Sequence, residues 1–282
     1  MVHHVTPSVA ADLLRRHGIR AGRRYGQHFL VDPNTIRRIV RLAAINPDET
    51  ILEIGPGLGS LTVALAETAR RVVAVEIDPK VIEVLEEVLD GTANVEIVAA
   101  DAMNVDLSRI LGGAARIVAN LPYNVATPIF LRILDEAPEV SGGLVMVQRE
   151  LGERWTASPG SRAYGAVTVH AAYHAAVHIA GDVPASVFMP PPDVASVLVR
   201  FTRHGAPPVE VADPGALFVF VRSAFGHRRK TLRNSLVAGG YGRDEVESAL
   251  AACHLDGRSR PEMLSLDDFA RLHAALVAGT AV

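Results

Sequence analysis

Between residues 50 and 148, short apolar runs alternate with stretches of helical apolar spacing, and few folds accommodate that order. "TILEI" (50–54), "RVVAVEI" (71–77), "NVEIVAA" (94–100), "ARIVAN" (115–120) and "GGLVMVQ" (142–148) read as buried strands. "SLTVALAETA" (60–69), "PKVIEVLEEVL" (79–89) and "TPIFLRILDEA" (127–137) read as helices between them, the second opening with Pro. Strands separated by helices form a parallel sheet covered on both faces, so the chain is expected to be α/β. Upstream, "NTIRRIVRLAA" places Ile36, Ile39, Val40 and Ala43 on one helix face. Downstream, "GAVTVHAAYHAAVHI" (165–179) and "SVLVRFTR" (196–203) read as strands with no clear helix between them, which predicts an antiparallel edge.

The expected segments are a basic arm with a short helix (1–24), a sheet domain (25–204), a Pro/Gly-rich linker (205–215) and an all-α domain (216–282). Helices in the last are expected at 216–225, 229–237, 243–252 and 267–278. With 49% hydrophobic and 21% charged residues the chain can bury a sizeable core. No run reaches the roughly 18 apolar residues of a membrane span, and residues 1–20 lack a secretory h-region. A soluble, cytoplasmic, monomeric protein is expected. The single cysteine, Cys253, excludes an intrachain disulfide and a cysteine metal cluster, and is expected to be buried.

Charge is segregated along the chain. Residues 1–41 carry eight Arg against two Asp; 42–199 carry nine basic and twenty acidic groups; 200–282 carry eleven basic and nine acidic groups. Basic ends around an acidic middle suit a protein that meets a polyanion with its ends.

"EIGPGLGS" (53–60) follows the first strand and opens a helix, where glycines permit a sharp turn and close approach of a ligand. Gly55, Gly57 and Gly59 are followed by Ser60 where a dinucleotide fingerprint wants glycine, which argues against a nicotinamide oxidoreductase. The next strand delivers Glu76, placed to accept both hydroxyls of a ribose, with Ile77 at an adenine pocket. The third delivers Asp101 and Ala102, an acid for an adenine amino group. Acids at successive strand ends beside a Gly turn point to a nucleoside-type cofactor.

The fourth strand ends in "NLPY" (120–123). An adenine N6 is a poor nucleophile because its lone pair is delocalised into the ring. Two acceptors, the Asn120 side-chain oxygen and the Leu121 carbonyl, would hold its hydrogens and turn the lone pair outward. Pro122 stiffens the turn and Tyr123 offers a stacking face.

In this order EIGPGLG, Glu76, Asp101 and NLPY resemble the class I S-adenosylmethionine-dependent methyltransferases that act on adenine N6. More closely the chain resembles the small-subunit (16S) rRNA adenine dimethyltransferases of the KsgA/RsmA type. "YGQHFLVD" (25–32) resembles their N-terminal motif, with His28 where Asn is commoner. "VFMPPPDVASVLVRF" (187–201) resembles their F-x-P-x-P-x-V stretch, and "AFGHRRKTLRNSL" (224–236) the basic opening of their C-terminal domain. The resemblance implies a Rossmann-like class I methyltransferase sheet, mostly parallel with an antiparallel edge, and a small helical C-terminal domain. It implies S-adenosyl-L-methionine as cofactor, held by His28, Leu30, Gly55, Gly57, Glu76, Ile77, Asp101, Ala102 and Asn120. Asn120, Leu121, Pro122 and Tyr123 would act at the target base, with Phe188 as its second stacking face. The implied substrate is 16S rRNA in the small subunit, dimethylated at two adjacent adenosines of its 3′-terminal hairpin.

Arg222, Arg228, Arg229, Lys230 and Arg233 form a basic run without an acid and are the expected RNA contacts. Arg15, Arg16, Arg20, Arg23 and Arg24 form a second basic arm. His170, His174 and His178 recur every four residues; on a strand successive ones lie about 13 Å apart on one face, so no metal is expected. Glu86 and Glu87 are expected to be solvated and Trp155 to pack. The rival readings are an Erm-type 23S rRNA methyltransferase, in the same chemistry, and a non-catalytic ribosome assembly factor.

Overall fold

The computed structural model describes residues 5–19, 28–227 and 230–279. The chain divides into two units, Met1–Gly152 with Val177–Arg203, and Glu153–Ala176 with His204–Val282. Residues 153–176, which the sequence reading places with the sheet domain, therefore group with the C-terminal helices.

The first unit opens with α1 (Pro7–Arg16), the two-residue strand β1 (Phe29–Leu30) and α2 (Pro33–Ala43). The alternating region follows as β2 (Thr50–Ile54), α3 (Ser60–Ala66), β3 (Arg71–Glu76), α4 (Pro79–Val88), β4 (Val95–Ala99), α5 (Leu107–Leu111), β5 (Ala115–Asn120), α6 (Ala126–Glu136) and β6 (Val140–Gln148). After α7 (Arg149–Trp155) and α8 (Ala166–His174) come β7 (Ala175–Val183), β8 (Phe188–Met189) and β9 (Ser196–Arg203). The strand order is β4-β3-β2-β5-β6-β9-β7. β4 through β6 are parallel and β9 runs antiparallel to β6, with Gln148 opposite Ser196. The order reverses at β2, which has β3 on one side and β5 on the other, so a crevice opens beyond the carboxyl ends of these strands.

Local chemistry accounts for the helices. Asp32 accepts from the Thr35 backbone N–H at 2.6 Å and Pro33 starts α2 with its φ preset. Ile36, Ile39 and Ala43 bury one stripe of α2, each isoleucine contributing roughly 1.5–3 kcal/mol. The last carbonyls of α2 are closed by arginines: Arg116 donates to Ala43 and Ala44, and Arg200 to Leu42. α1 lies against α4: Val5, Ala10 and Leu13 pack with Val84, Leu85 and Val88. Glu86 and Glu87 are exposed, as expected; Glu87 also accepts from Arg16 at 2.7 Å and pairs with His17 at 2.8 Å, which pull its carboxyl down to about 2.

β1 pairs antiparallel with β8, Leu30 opposite Phe188. No local periodicity announces so short a ladder, yet it joins the N-terminal motif to the Pro-rich stretch.

The second unit holds α8 with α9 (Pro214–Phe225), α10 (Leu232–Ala238), α11 (Arg243–Ala252) and α12 (Leu266–Gly279). Its core includes Phe218, Phe220, Leu236 and Phe269, and Cys253 is buried against it. The strand expected over 165–179 is a helix to His174 and a strand only from Ala175. Five of the nine residues of α8 are buried, on several faces, so no amphipathic period was available to read. The rings of His170 and His174 lie 5.4 Å apart, one turn along α8, rather than spread along a ladder, and His170 stacks on Phe218 at 3.7 Å. Trp155 is buried, as expected. No described helix is long and apolar enough to cross a membrane.

Candidate active site

At the carboxyl ends of β2, β3 and β5 a cavity of about 230 Å³ opens. Its floor is the glycine turn. Gly55 (φ +69°) passes so close to Pro122 that an added Cβ would lie 3.2 Å from its ring, and a Cβ on Gly57 (φ +57°) would stand 2.9 Å from the Phe29 ring. Both positions are left-handed and crowded, which only glycine tolerates. The turn is therefore fitted between NLPY on one side and the β1 segment on the other.

Three acidic side chains meet the cavity. Glu53, which in the sequence is only the first residue of the glycine motif, is 1% exposed within the wholly buried β2. Its Oε2 has no hydrogen-bond partner, and burial pushes its carboxyl up to about 8, with Glu76 adding to the rise. A carboxylate inside an otherwise apolar strand was the signal that could have found it. Glu76 ends β3; its Oε1 accepts from the backbone N–H groups of Ile77 (2.9 Å) and Asp78 (3.0 Å). Burial raises its pKa despite those bonds. Ile77 is 51% exposed at the cavity, an apolar side chain with nothing over it. Asp101 lines the cavity with Oδ1 taken by the Met103 N–H (2.8 Å) and Oδ2 by the Asn104 amide (2.9 Å). Ala102 does not reach the cavity: it is buried, its carbonyl accepts from Arg132 at 2.5 Å, and Met103 lines the wall in its place.

NLPY forms the opposite wall, with His28, Phe29 and Leu30 also lining the cavity. The Asn120 amide donates to the His28 carbonyl at 3.3 Å. That bond turns its Oδ1 the other way, and Oδ1 is buried without a partner. The Leu121 N–H is held by the Met146 carbonyl at 3.1 Å, and the Pro122 carbonyl accepts from Val125, so the turn is locked at both ends. Tyr123 shares a 2.6 Å hydrogen bond with Ser196. Phe188 is not among the residues lining the cavity; it is 3% exposed, buried beside Leu30. The resemblance gave no hint of Ser196 or of the His28 ring as neighbours of Tyr123.

A match to the family described as ribosomal RNA adenine dimethylase spans residues 18–276. The chain belongs to that family. It is 46% identical over 269 residues, 93% of this chain and 88% of the relative, to a ribosomal RNA small subunit methyltransferase A of Kineococcus radiotolerans. Among solved structures, a dimethyladenosine transferase from Plasmodium falciparum superposes with a TM-score of 0.72 at 24% identity, covering 87% of this chain and 96% of that one. The 23S rRNA methyltransferase ErmE superposes with a TM-score of 0.68 at 29% identity, covering 88% and 99%. The α/β sheet of this adenine dimethylase is thus the Rossmann-like class I methyltransferase fold.

In the second unit of the dimethylase, Arg222 at the end of α9 and Lys230 are exposed, while Arg228 and Arg229 lie outside the described residues. Arg233 is not free as a phosphate ligand: it pairs with Glu247 at 3.0 Å. Of the N-terminal arm, Arg15 and Arg16 are paired with Asp12, and Arg20, Arg23 and Arg24 lie outside the described residues.

Proposed function

We propose that this chain transfers methyl groups from S-adenosylmethionine to the N6 amines of two adjacent adenosines in the 3′-terminal hairpin of 16S rRNA, within the small ribosomal subunit. The observation that carries the reading is Asn120 Oδ1: a buried acceptor, unpartnered, held in place by the opposite end of its own amide. An orphaned acceptor of this kind is costly unless a ligand completes it. The N6–H of a flipped adenine is a donor of the right kind.

The residues present fit the cofactor. The tight glycine turn leaves backbone exposed to it, Glu76 is placed for the ribose hydroxyls, Ile77 and Asp101 for the adenine, and Glu53 for the ammonium group. When bound, S-adenosylmethionine supplies an electrophilic methyl group on a sulfonium. The chain's own part is positioning. Asn120 Oδ1 and the Leu121 carbonyl hold the N6 hydrogens, so the nitrogen turns pyramidal and its lone pair, withdrawn from conjugation with the ring, faces the methyl. Pro122 keeps the carbonyl aimed, and Tyr123 fixes the plane of the base. Neither amide oxygen is basic enough to keep the surplus proton, which passes to water. Preorganised positioning of this kind removes several kcal/mol of barrier without acid–base catalysis. Phe188 takes part as a second stacking face only if its ring leaves the core when the base enters.

The small-subunit target is supported by the 46% identity to a small-subunit enzyme against 29% to ErmE. Exposed Arg222 and Lys230 suit phosphate contacts to a folded hairpin. The test is methyl transfer from labelled S-adenosylmethionine to small subunits from a strain lacking the modification, with large subunits in parallel. Label in the small subunit, mapping to dimethyladenosine, is the expected result. Label confined to the large subunit makes this a resistance-type enzyme, and no label with retained subunit binding makes it an assembly factor.

A further inference from the structure

Tyr123 is gripped from two sides. Its hydroxyl lies 2.6 Å from Ser196 Oγ, and Ser196 is fully buried at the start of an apolar strand. A buried serine hydroxyl is costly unless bonded, and here Tyr123 takes it. The start of β9 is itself fixed: the Arg149 N–H donates to the Ala195 carbonyl at 3.0 Å, and Ser196 stands in register with Gln148. The His28 ring lies 5.5 Å from the Tyr123 ring with 29° between their planes. His28 is in turn tied down twice. Its Nδ1 donates to the Pro190 carbonyl at 2.9 Å, and its own carbonyl accepts from Asn120.

A tyrosine at a cavity wall turns about two side-chain torsions. A hydrogen bond to a rigid strand at the ring's far end and a second ring beside it remove most of that freedom. We propose that Ser196 and His28 are positioning residues that hold Tyr123 as a preset stacking face for the target adenine. On this account the His28 side chain serves the base rather than the cofactor; only its backbone belongs to the cofactor wall. The β1–β8 ladder then carries the base-side brace, His28 to Pro190, next to Leu30 and Phe188. The inference rests on the adenine reading of NLPY.

The experiment compares Y123F, S196A, the double variant Y123F/S196A, and H28A in the full chain. Three quantities are read: kcat on unmethylated small subunits, KM for the subunits, and the dissociation constant of S-adenosylhomocysteine by calorimetry. Y123F and S196A remove the same hydrogen bond. Each is expected to lower kcat about 3- to 10-fold, the double variant no further, with S-adenosylhomocysteine bound within about twofold of the wild type. Y123F leaves β9 untouched, so it tests the bond even if S196A folds poorly. H28A is expected to lower kcat by a similar factor with the cofactor product still bound normally. Unchanged kcat in Y123F, or effects of Y123F and S196A that multiply, overturns the Ser196 brace. A tenfold weaker S-adenosylhomocysteine complex in H28A returns that side chain to the cofactor and overturns the His28 brace. A wild-type chain that methylates neither ribosomal subunit sinks the reading of the site itself, which is a different failure from either.

Discussion

The two ends of one sheet are finished differently. At the amino-terminal ends of the strands, arginines answer the polar groups. Arg71 donates to the carbonyls of Leu111 (2.8 Å) and Ile110 (2.9 Å), and Arg116 to Ala43, Ala44 and Glu49. Glu139 lies there in the field of Arg203, although its buried Oε2 has no hydrogen-bond partner. At the carboxyl ends, Glu53 Oε2, Ser60 Oγ and Asn120 Oδ1 are buried and unpartnered beside an open cavity. Leaving one such atom costs about 1–3 kcal/mol. The contrast teaches that the working end is recognisable by several unmet hydrogen-bonding atoms gathered around one cavity, where the other end has, among the described residues, the single buried Glu139 oxygen away from it. The same fold that closes carbonyls with arginine at one end holds open acceptors at the other.

The largest effect expected on that contrast comes from Glu53. Its folded carboxyl titrates at about 8, above the ordinary value of 4.5, so the free protein holds a proton that the unfolded chain releases. Stability is therefore greatest below the unfolded value and falls as pH rises through about 8. Glu53→Gln should flatten that slope, leaving the free variant more stable than wild type at pH 8 by up to about 4 kcal/mol. It should also bind S-adenosylhomocysteine more weakly. Urea midpoints across pH 4–9 check this, and parallel slopes in the two proteins would remove Glu53 as the open acceptor.

At the finished end the response should be purely structural. Arg116→Ala leaves the carbonyls of Ala43 and Ala44 without that donor and should cost about 2–3 kcal/mol of stability, with affinity for the cofactor product unchanged. A loss of affinity there would erase the distinction between the two ends. Glu76→Ala should weaken S-adenosylhomocysteine roughly tenfold by calorimetry; unaltered affinity takes Glu76 out of the ribose site. Smallest is the effect of reversing charge at Arg222 and Lys230, expected to weaken rRNA binding severalfold and flatten its salt dependence by about one unit of slope per residue. An unchanged slope would mean that these side chains face only solvent.

What could be read from the chain was what is local. The strand–helix alternation, the capped starts at Pro33 and Pro79, the glycine turn and NLPY each occupy a few consecutive residues whose conformation is dictated there. What could not be read depends on partners far away. β1 and β8 are two residues each and meet across more than 150 residues of chain. α8 is buried on several faces, and its β-branched and aromatic residues imitate a strand. Phe188 sits in a legible motif, but its burial is set by β1; Arg233 sits in a legible basic run, but Glu247 on α11 takes its charge. Glu53 is local as well, but the glycines beside it account for the turn without it.

The most direct test of the open acceptor is Asn120→Ala, assayed for methyl transfer to unmethylated small subunits with binding of subunits and of S-adenosylhomocysteine measured alongside. The account predicts kcat lowered on the order of 10²-fold with subunit binding nearly intact. Undiminished turnover would show that the buried oxygen of Asn120 does not hold the amine, and the reading of the cavity would fall with it.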